Sequence, residues 1–254
     1  MTDGIILRGR GVTKHFGALK AVSDLDFTVK RGEVLGIIGP NGAGKTTFLC
    51  LINGTLPLTA GEIFFKDEKI SGLKPYQIAE RGISRTFQIV KPFPGMTVLE
   101  NVSIGALFGK NNIKDAKMAR EKTRSILSMV HLDGKDDLRV ENLNISERKR
   151  LEVARALAMD PEVLLLDEVM AGLNAAEVES VMALIIKLNS EGRTILVIEH
   201  VMKAIMGVSH RVMVLHHGEK IAEGNPADVT SDEKVISAYL GERYAKMRAK
   251  NAES

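Results

Sequence analysis

The sequence predicts an α/β protein with a mainly parallel β-sheet, and two patterns carry this prediction. Four short apolar runs have the composition of strands buried on both faces, at 34–38, 163–166, 194–198 and 211–215. Helical periodicity separates these runs, for example over 176–188. Buried strands that alternate with helices favour a parallel sheet with helices packed on its faces.

Two other parts of the chain depart from this alternation. Leu25, Phe27 and Val29 alternate with polar residues, which is typical of a half-exposed antiparallel strand, and the run 62–65 has strand character before a turn. These runs predict a small antiparallel sheet beside the main one. From about residue 97 to 158 the periodicity is mostly helical, which predicts a helical subdomain.

The composition is that of a globular protein, since 44% of the 254 residues are hydrophobic and 26% are charged. A net charge of +3 is too small to indicate a nucleic-acid partner. Cys50 is the only cysteine, so an internal disulfide is excluded, and its apolar neighbours predict a small buried side chain. There is no signal-peptide pattern and no apolar run near the ~20 residues that span a bilayer. We therefore expect a soluble protein that reaches a membrane only through partners.

A glycine-rich segment follows the first buried run. It reads Gly39-Pro-Asn-Gly-Ala-Gly-Lys45-Thr46 and matches the phosphate-binding pattern G-x-x-x-x-G-K-[ST]. Glycines let the backbone wrap closely around phosphate oxygens, and the N–H groups that begin the next helix face the anion. In this pattern we expect Lys45 to bridge the β- and γ-phosphates and the Thr46 hydroxyl to bind Mg²⁺.

Two carboxylates, Asp167 and Glu168, follow the second apolar run. Ligands of parallel sheets bind at the carboxyl ends of the strands, where this pair is expected to lie. Beside a phosphate loop, we expect Asp167 to hold Mg²⁺ and Glu168 to polarise the attacking water. Without that loop, a helix-capping role for one of the two would be an equal alternative.

These motifs resemble the ABC (ATP-binding cassette) ATPase family, and the resemblance covers nearly the whole chain. Phe16 lies where the family stacks an aromatic ring on adenine, Gln88 resembles its glutamine loop, and His200 resembles its switch histidine. Each of the three has an ordinary structural explanation when taken alone. Their order favours the resemblance, because aromatic ring, phosphate loop, Gln, signature, Asp-Glu and His follow one another as in the family.

The resemblance implies a fold, ligands and a set of site residues. The fold is a P-loop NTPase (RecA-like) parallel sheet core with a small antiparallel β-sheet and a helical subdomain, and the ligands are ATP and Mg²⁺. The implied parts are a core at 1–87, a helical subdomain at 88–160, the second part of the core at 161–241 and a flexible tail at 242–254. Catalytic roles fall to Glu168, His200 and Gln88, and metal binding to Thr46, Asp167 and Gln88. Nucleotide contacts fall to Phe16, Gly39, Asn41, Gly42, Gly44, Lys45, Thr46, Thr47, Asn144 and Ser146.

The signature segment departs from the family pattern L-S-G-G-Q, because here it reads Leu143-Asn-Ile-Ser-Glu147. Asn144 and Ser146 retain groups that can donate hydrogen bonds to a phosphate bound by an opposite subunit, and a helix N-terminus adds its dipole. Both residues are also typical helix caps. The departure leaves open whether two copies of this chain form two competent sites.

Several stretches resemble one subgroup, the ATPases of branched-chain amino acid importers, among them 85–90, 96–102, 167–174, 198–202 and 238–242. This implies two transmembrane permeases, a second ATPase subunit in a homo- or heterodimer, and indirectly a solute-binding protein. It also implies a cytoplasmic location, peripheral on the inner face of the cell membrane. Urea, short amides and aromatic acids remain alternative solutes, since related importers carry them.

Other classes of protein fit this sequence less well. ABC proteins of DNA maintenance carry a long coiled coil between phosphate loop and signature, and translation-associated ones usually join two cassettes. A small GTPase or kinase explains neither Gln88 nor His200. A regulatory ABC ATPase without a transport role stays open because of the unusual signature. The capping-box spacing of Thr230–Glu233 finally predicts a C-terminal helix over 235–240.

Overall fold

The structure is a computed structural model that describes residues 4–86, 92–111 and 113–239. Gln88 and the predicted tail at 242–254 lie outside these residues. The strands are β1 (Ile5–Phe16), β2 (Leu19–Lys30), β3 (Val34–Ile38), β4 (Ala60–Phe65), β5 (Glu68–Lys69), β6 (Ile83–Arg85), β7 (Val163–Asp167), β8 (Thr194–Ile198), β9 (Arg211–His216) and β10 (Glu219–Gly224). The helices are α1 (Lys45–Ile52), α2 (Pro75–Arg81), α3 (Val98–Phe108), α4 (Ala116–Met129), α5 (Ile145–Ala158), α6 (Ala175–Ser190), α7 (Met202–Val208) and α8 (Pro226–Ser231), and residues 233–239 are also helical.

The larger sheet has six strands in the order β10-β9-β3-β8-β7-β6. The five strands from β9 to β6 are parallel, and β10 pairs antiparallel with β9 at the edge. The α/β fold with a mainly parallel sheet is therefore confirmed, and all four predicted buried runs are strands of this sheet. The predicted helix over 176–188 is α6.

The central strands are apolar throughout because both faces of the sheet are covered. Along β7, Leu164 and Leu166 pack into one hydrophobic core, while Val163 and Leu165 pack into another on the opposite face. Each burial contributes roughly 1.5–3 kcal/mol relative to an exposed side chain. The apolar faces of α3, α4 and α5 belong to the first core, so these helices pack on the same side of the sheet.

The smaller sheet has the order β2-β1-β4-β5 and is antiparallel throughout, as the alternating N-terminal runs predict. Its core joins that of the main sheet through Phe27 of β2. The Phe27 ring meets the Phe48 ring of α1 edge-on, with centroids 4.7 Å apart. The smaller sheet is thereby fixed beside the start of α1.

Two local predictions were wrong. Thr230 does not cap the C-terminal helix, because it lies inside α8 and its hydroxyl donates to Ala227 O at 2.9 Å. The cap is Asp232, whose carboxylate accepts from Lys234 N–H at 2.7 Å. Cys50 is half-buried rather than buried, and its sulfur accepts a hydrogen bond from the Arg85 guanidinium at 2.8 Å.

None of the helices in the described ranges combines the length and the apolar character that crossing a membrane requires.

Candidate functional site

Parallel pairing gathers the predicted site residues at one edge of the main sheet. The carboxyl ends of β3, β8, β7 and β6 lie side by side in that order. Gly39 follows β3, His200 follows β8 after one residue, Asp167 ends β7 and Arg85 ends β6. Segments separated by up to 161 positions therefore converge at the carboxyl ends of the strands, where ligands of parallel sheets bind.

The phosphate loop wraps around the N-terminus of α1. Gly44 is the helix N-cap with a φ of 99°, and a side chain there would place its Cβ 2.2 Å from Ala21 O. Lys45 is buried, and its ammonium donates to Gly39 O at 2.7 Å and to Pro40 O at 3.0 Å. Burial lowers the pKa of Lys45, while the charges of Glu168 and Asp167 act in the opposite direction.

An open cleft of about 660 Å³ lies in front of this loop. Its wall contains most of the residues that sequence reasoning assigns to the nucleotide, together with the assigned pair Glu168 and His200. Phe16 stands at the end of β1 with 46% of its surface exposed, so it is not a core residue. The lining consists of Phe16, Leu19, Ala21, Asn41, Gly42, Ala43, Gly44, Lys45, Thr46, Thr47, Glu168 and His200.

Asp167 lies behind the cleft with a side chain that is 0% exposed. Its Oδ1 faces the Thr46 hydroxyl at 3.4 Å, and its Oδ2 accepts from the Arg85 guanidinium at 2.8 Å. A buried carboxylate needs such partners, because unpaired it would lose its hydration without compensation. Together, the Thr46 hydroxyl and Asp167 carboxylate offer the hard oxygen ligands that Mg²⁺ prefers, so the residues present fit this ion.

The backbone of Glu168 adopts the left-handed region, with a φ of 52°. This conformation costs about 1–2 kcal/mol in a residue with a side chain, so surrounding groups must fix it. Glu168 N–H donates to Ile198 O at 2.9 Å, and Glu168 O accepts from the Lys149 ammonium at 3.1 Å. The Glu168 side chain turns into the cleft, where its Oε1 lies 2.7 Å from His200 Nε2.

Beside His200, Glu199 is buried under the same turn. Its Oε1 accepts from Met170 N–H at 2.6 Å, while Oε2 has no hydrogen-bond partner among the described residues. Burial raises the pKa of Glu199 to about 7, against the Met170 hydrogen bond and the charge of Lys149, while the charge of Glu168 adds to the rise. Glu199 thus connects the loop after β8 to the segment after Glu168.

The signature segment is not among the residues that line the cleft and lies at the start of α5. Asn144 caps α5, accepting from Glu147 N–H at 2.9 Å, and the Glu147 carboxylate accepts in return from Asn144 N–H at 2.9 Å. The pKa of Glu177, at the start of α6, is lowered by its backbone hydrogen bond to Asn174 and by the Ser146 hydroxyl. Asn144 is therefore the helix cap, whereas Ser146 lies inside α5 and is not the capping residue. Ile145 is 72% exposed.

Three residues with evident structural roles at the site were missed by sequence reasoning. Arg85, Lys149 and Glu199 all stand within or beside quoted motifs, which is the one signal that was available. Their contacts reach residues 19 to 82 positions away. Such contacts follow from the strand order and from the packing of α5, neither of which a motif reveals.

Solved structures of the same fold are nucleotide-binding ATPase cassettes. The ADP conformation of MJ1267, an ATP-binding cassette of an ABC transporter, matches with a TM-score of 0.84 and 32% identity, over 93% of this chain and 99% of that one. A dimeric post-hydrolysis state of MJ0796 bound to ADP and Pi matches with a TM-score of 0.80 and 27% identity, over 87% and 99%. The fold class is that of the P-loop ABC cassettes.

Sequence comparisons give the same family. The model described as "ABC transporter" matches residues 22–171, and the model described as "Branched-chain amino acid ATP-binding cassette transporter" matches residues 219–245. LivG of Escherichia coli K12, a high-affinity branched-chain amino acid transport ATP-binding protein, is 36% identical over 93% of this chain and 98% of its own length. BraF of Pseudomonas aeruginosa, which carries the same description, is 37% identical over the same shares. The chain belongs to the ABC transporter ATP-binding family, whose members are ATPases.

Glu199→Gln tests the buried carboxyl. Because the folded protein raises this pKa from 4.5 to about 7, the contribution of Glu199 to stability is complete below pH 4.5 and is lost as the pH rises through 7. Glutamine still accepts from Met170 N–H but never ionises. We expect urea unfolding to show the variant gaining stability relative to wild type between pH 5 and 8.

The exposed substitution Glu191→Gln is the matched control, and it should leave the pH dependence unchanged. If Glu199→Gln follows the wild-type pH profile throughout, Glu199 does not titrate in this range.

Proposed function

We propose that this chain is the ATP-hydrolysing subunit of an importer for branched-chain amino acids. The solute class is supported by the likeness to LivG and BraF and by the C-terminal match at 219–245. The hydrolytic role is supported by the pairing of Glu168 with His200 in the cleft, 2.7 Å apart, which is the observation that carries the proposal.

ATP lies in the cleft with its adenine against Phe16 and its phosphates on the backbone N–H groups of residues 42–46. Lys45 neutralises phosphate charge from the floor of the cleft. Thr46, Asp167 and Gln88 would hold Mg²⁺, which when bound would supply positive charge to phosphate oxygens. Arg85 holds the rear oxygen of Asp167, so that the other oxygen stays directed at Thr46.

Glu168 is the general base of this mechanism. An ionised carboxylate only accepts hydrogen bonds, so His200 Nε2 donates to Glu168 and orients it. With ATP in the cleft, Glu168 polarises the attacking water, and His200 reaches the γ-phosphate as the family resemblance implies. The Lys149 ammonium and Ile198 carbonyl hold the Glu168 backbone while the side chain acts.

Glu168→Gln should slow hydrolysis strongly and retain ATP binding, since glutamine keeps the shape of the side chain but cannot take a proton. We expect phosphate release to fall about 100-fold or more, in line with the loss of a general base, while the affinity for MgATP changes little. The exposed α6 substitution Glu179→Gln is the control. Hydrolysis at the wild-type rate in Glu168→Gln would contradict the assignment.

The remaining assembly consists of a second ATPase subunit, two permeases and indirectly a solute-binding protein, with the chain on the cytoplasmic face and bound to the membrane only through the permeases.

We place a different ATPase opposite this chain because the Glu147 carboxylate already occupies the positive end of the α5 dipole. Glu147 accepts from Asn144 N–H and pairs with Lys135 at 2.7 Å. Its pKa is lowered by Lys135 and the Asn144 hydrogen bond, so a negative charge stands where an opposite phosphate would bind.

Size-exclusion chromatography tests this pairing. Glu168→Gln protein alone should remain monomeric with MgATP, because Glu147 opposes the phosphate of a second copy. Adding Ser146→Gly and Glu147→Gln, which restores residues of the family signature, should shift it to a dimer. A dimer of Glu168→Gln without these changes would show that two copies close by themselves.

Uptake measurements test the solute. The complex purified from membranes through a tag on this chain, reconstituted with its binding protein and internal ATP, should accumulate radiolabelled leucine, isoleucine and valine. Unlabelled urea, short amides and aromatic acids should not compete. Competition by one of these, with no effect of unlabelled leucine, would reassign the solute and leave the ATPase role intact.

A further inference from the structure

The last described helix reaches the phosphate loop. Residues 233–239 are helical and include Tyr239, whose hydroxyl oxygen accepts a hydrogen bond from Gly39 N–H at 2.6 Å. Gly39 is the first residue of the loop, 200 positions earlier in the chain. The C-terminal region that contains Tyr239 is the one matched by the branched-chain transporter model, at 219–245.

Gly39 has an N–H group that no strand satisfies. The parallel ladder between β3 and β9 ends at Ile38, paired with Val214, and Gly39 then leaves the sheet with a φ of 151°. The residue is buried, and a side chain would place its Cβ 2.1 Å from Leu215 O. A buried N–H without a partner is costly, so the Tyr239 hydroxyl fixes the point at which the loop begins.

The other polar group of Gly39 faces the site. Its carbonyl, with that of Pro40, accepts from the Lys45 ammonium at 2.7 and 3.0 Å. The position of the ammonium therefore depends on where these two carbonyls lie. One residue links Tyr239 to Lys45, with its N–H on the helix side and its carbonyl on the cleft side.

We propose that Tyr239 is a positioning residue for phosphate binding, which acts through Gly39 on the ammonium of Lys45. The inference rests on the proposed function in one respect, that the ligand of Lys45 is a nucleotide phosphate. It gives residues 233–239 a role at the nucleotide site, although none of these described helical residues lines the cleft.

Tyr239→Phe removes the hydroxyl and keeps the ring. Titration with a fluorescent ATP analogue should show affinity roughly three- to tenfold weaker, the ratio that corresponds to the net contribution of one hydrogen bond. The matched control is Tyr76→Phe, at an exposed tyrosine of α2, which should bind as wild type does. Equal affinity in Tyr239→Phe and wild type would overturn the proposal.

The same substitution in Lys45→Met protein distinguishes a positioning role of Tyr239 from simple anchoring of the helix. In Lys45→Met protein the ammonium is gone, so Tyr239→Phe should have no further effect on ATP binding, read from the rise in melting temperature at millimolar MgATP. If Tyr239→Phe weakened ATP binding by the same factor with and without the Lys45→Met substitution, Tyr239 would act independently of Lys45, and this result would also overturn the proposal. Failure of the wild-type protein to bind ATP would instead refute the proposed function.

Discussion

Asp167 ends β7 with a side chain that has no exposure to solvent, and the groups that satisfy its carboxylate come from two separate elements. Thr46 of α1 faces one carboxylate oxygen, and Arg85 of β6 binds the other. A charge buried this deeply is tolerated only with close partners, and removing one partner of such a pair typically costs about 3–5 kcal/mol. The position of the phosphate helix and that of the strand leading to Gln88 are therefore linked to the same carboxylate.

The next residue, Glu168, has a strained backbone. Glu168 has a left-handed backbone, and its conformation is fixed by Ile198 from β8 and by Lys149 from α5. Glu199 adds a hydrogen bond to Met170 N–H in the same turn. Lys149 lies on α5, the helix that begins with the signature. A displacement of α5 would therefore disturb the contact that holds the backbone of the proposed general base, Glu168.

Sequence reasoning predicted the parts of this site that are local. The glycine-rich loop and the pair Asp167-Glu168 are readable because each stands directly after an apolar run, and parallel strands bring their ends together. His200, one residue further from its strand, was assigned through the family resemblance. Phe16 needed the family resemblance, since a lone aromatic residue before a glycine is equally compatible with the core.

The contacts that fix these groups could not be predicted in the same way. Arg85, Lys149 and Tyr239 are ordinary residues in the sequence, and their partners are set by strand order and helix packing. The capping box at Thr230 shows the converse error, because its spacing is correct but α8 already occupies that position and Asp232 caps the following helix instead. Spacing identifies a compatible local structure, and tertiary packing decides whether it forms.

The two helix N-termini that the family resemblance assigns to phosphate differ in charge. The start of α1 presents loop N–H groups to the cleft with Lys45 behind them, and α1 has no acidic residue in its first turn. The start of α5 has Glu147 in its first turn, hydrogen-bonded to the backbone of Asn144. Since a carboxylate at a helix N-terminus already interacts with the dipole that would attract a phosphate, α1 is equipped for an anion and α5 much less so. This difference supports the proposal that the signature of a different subunit, rather than a second copy of this chain, completes the site.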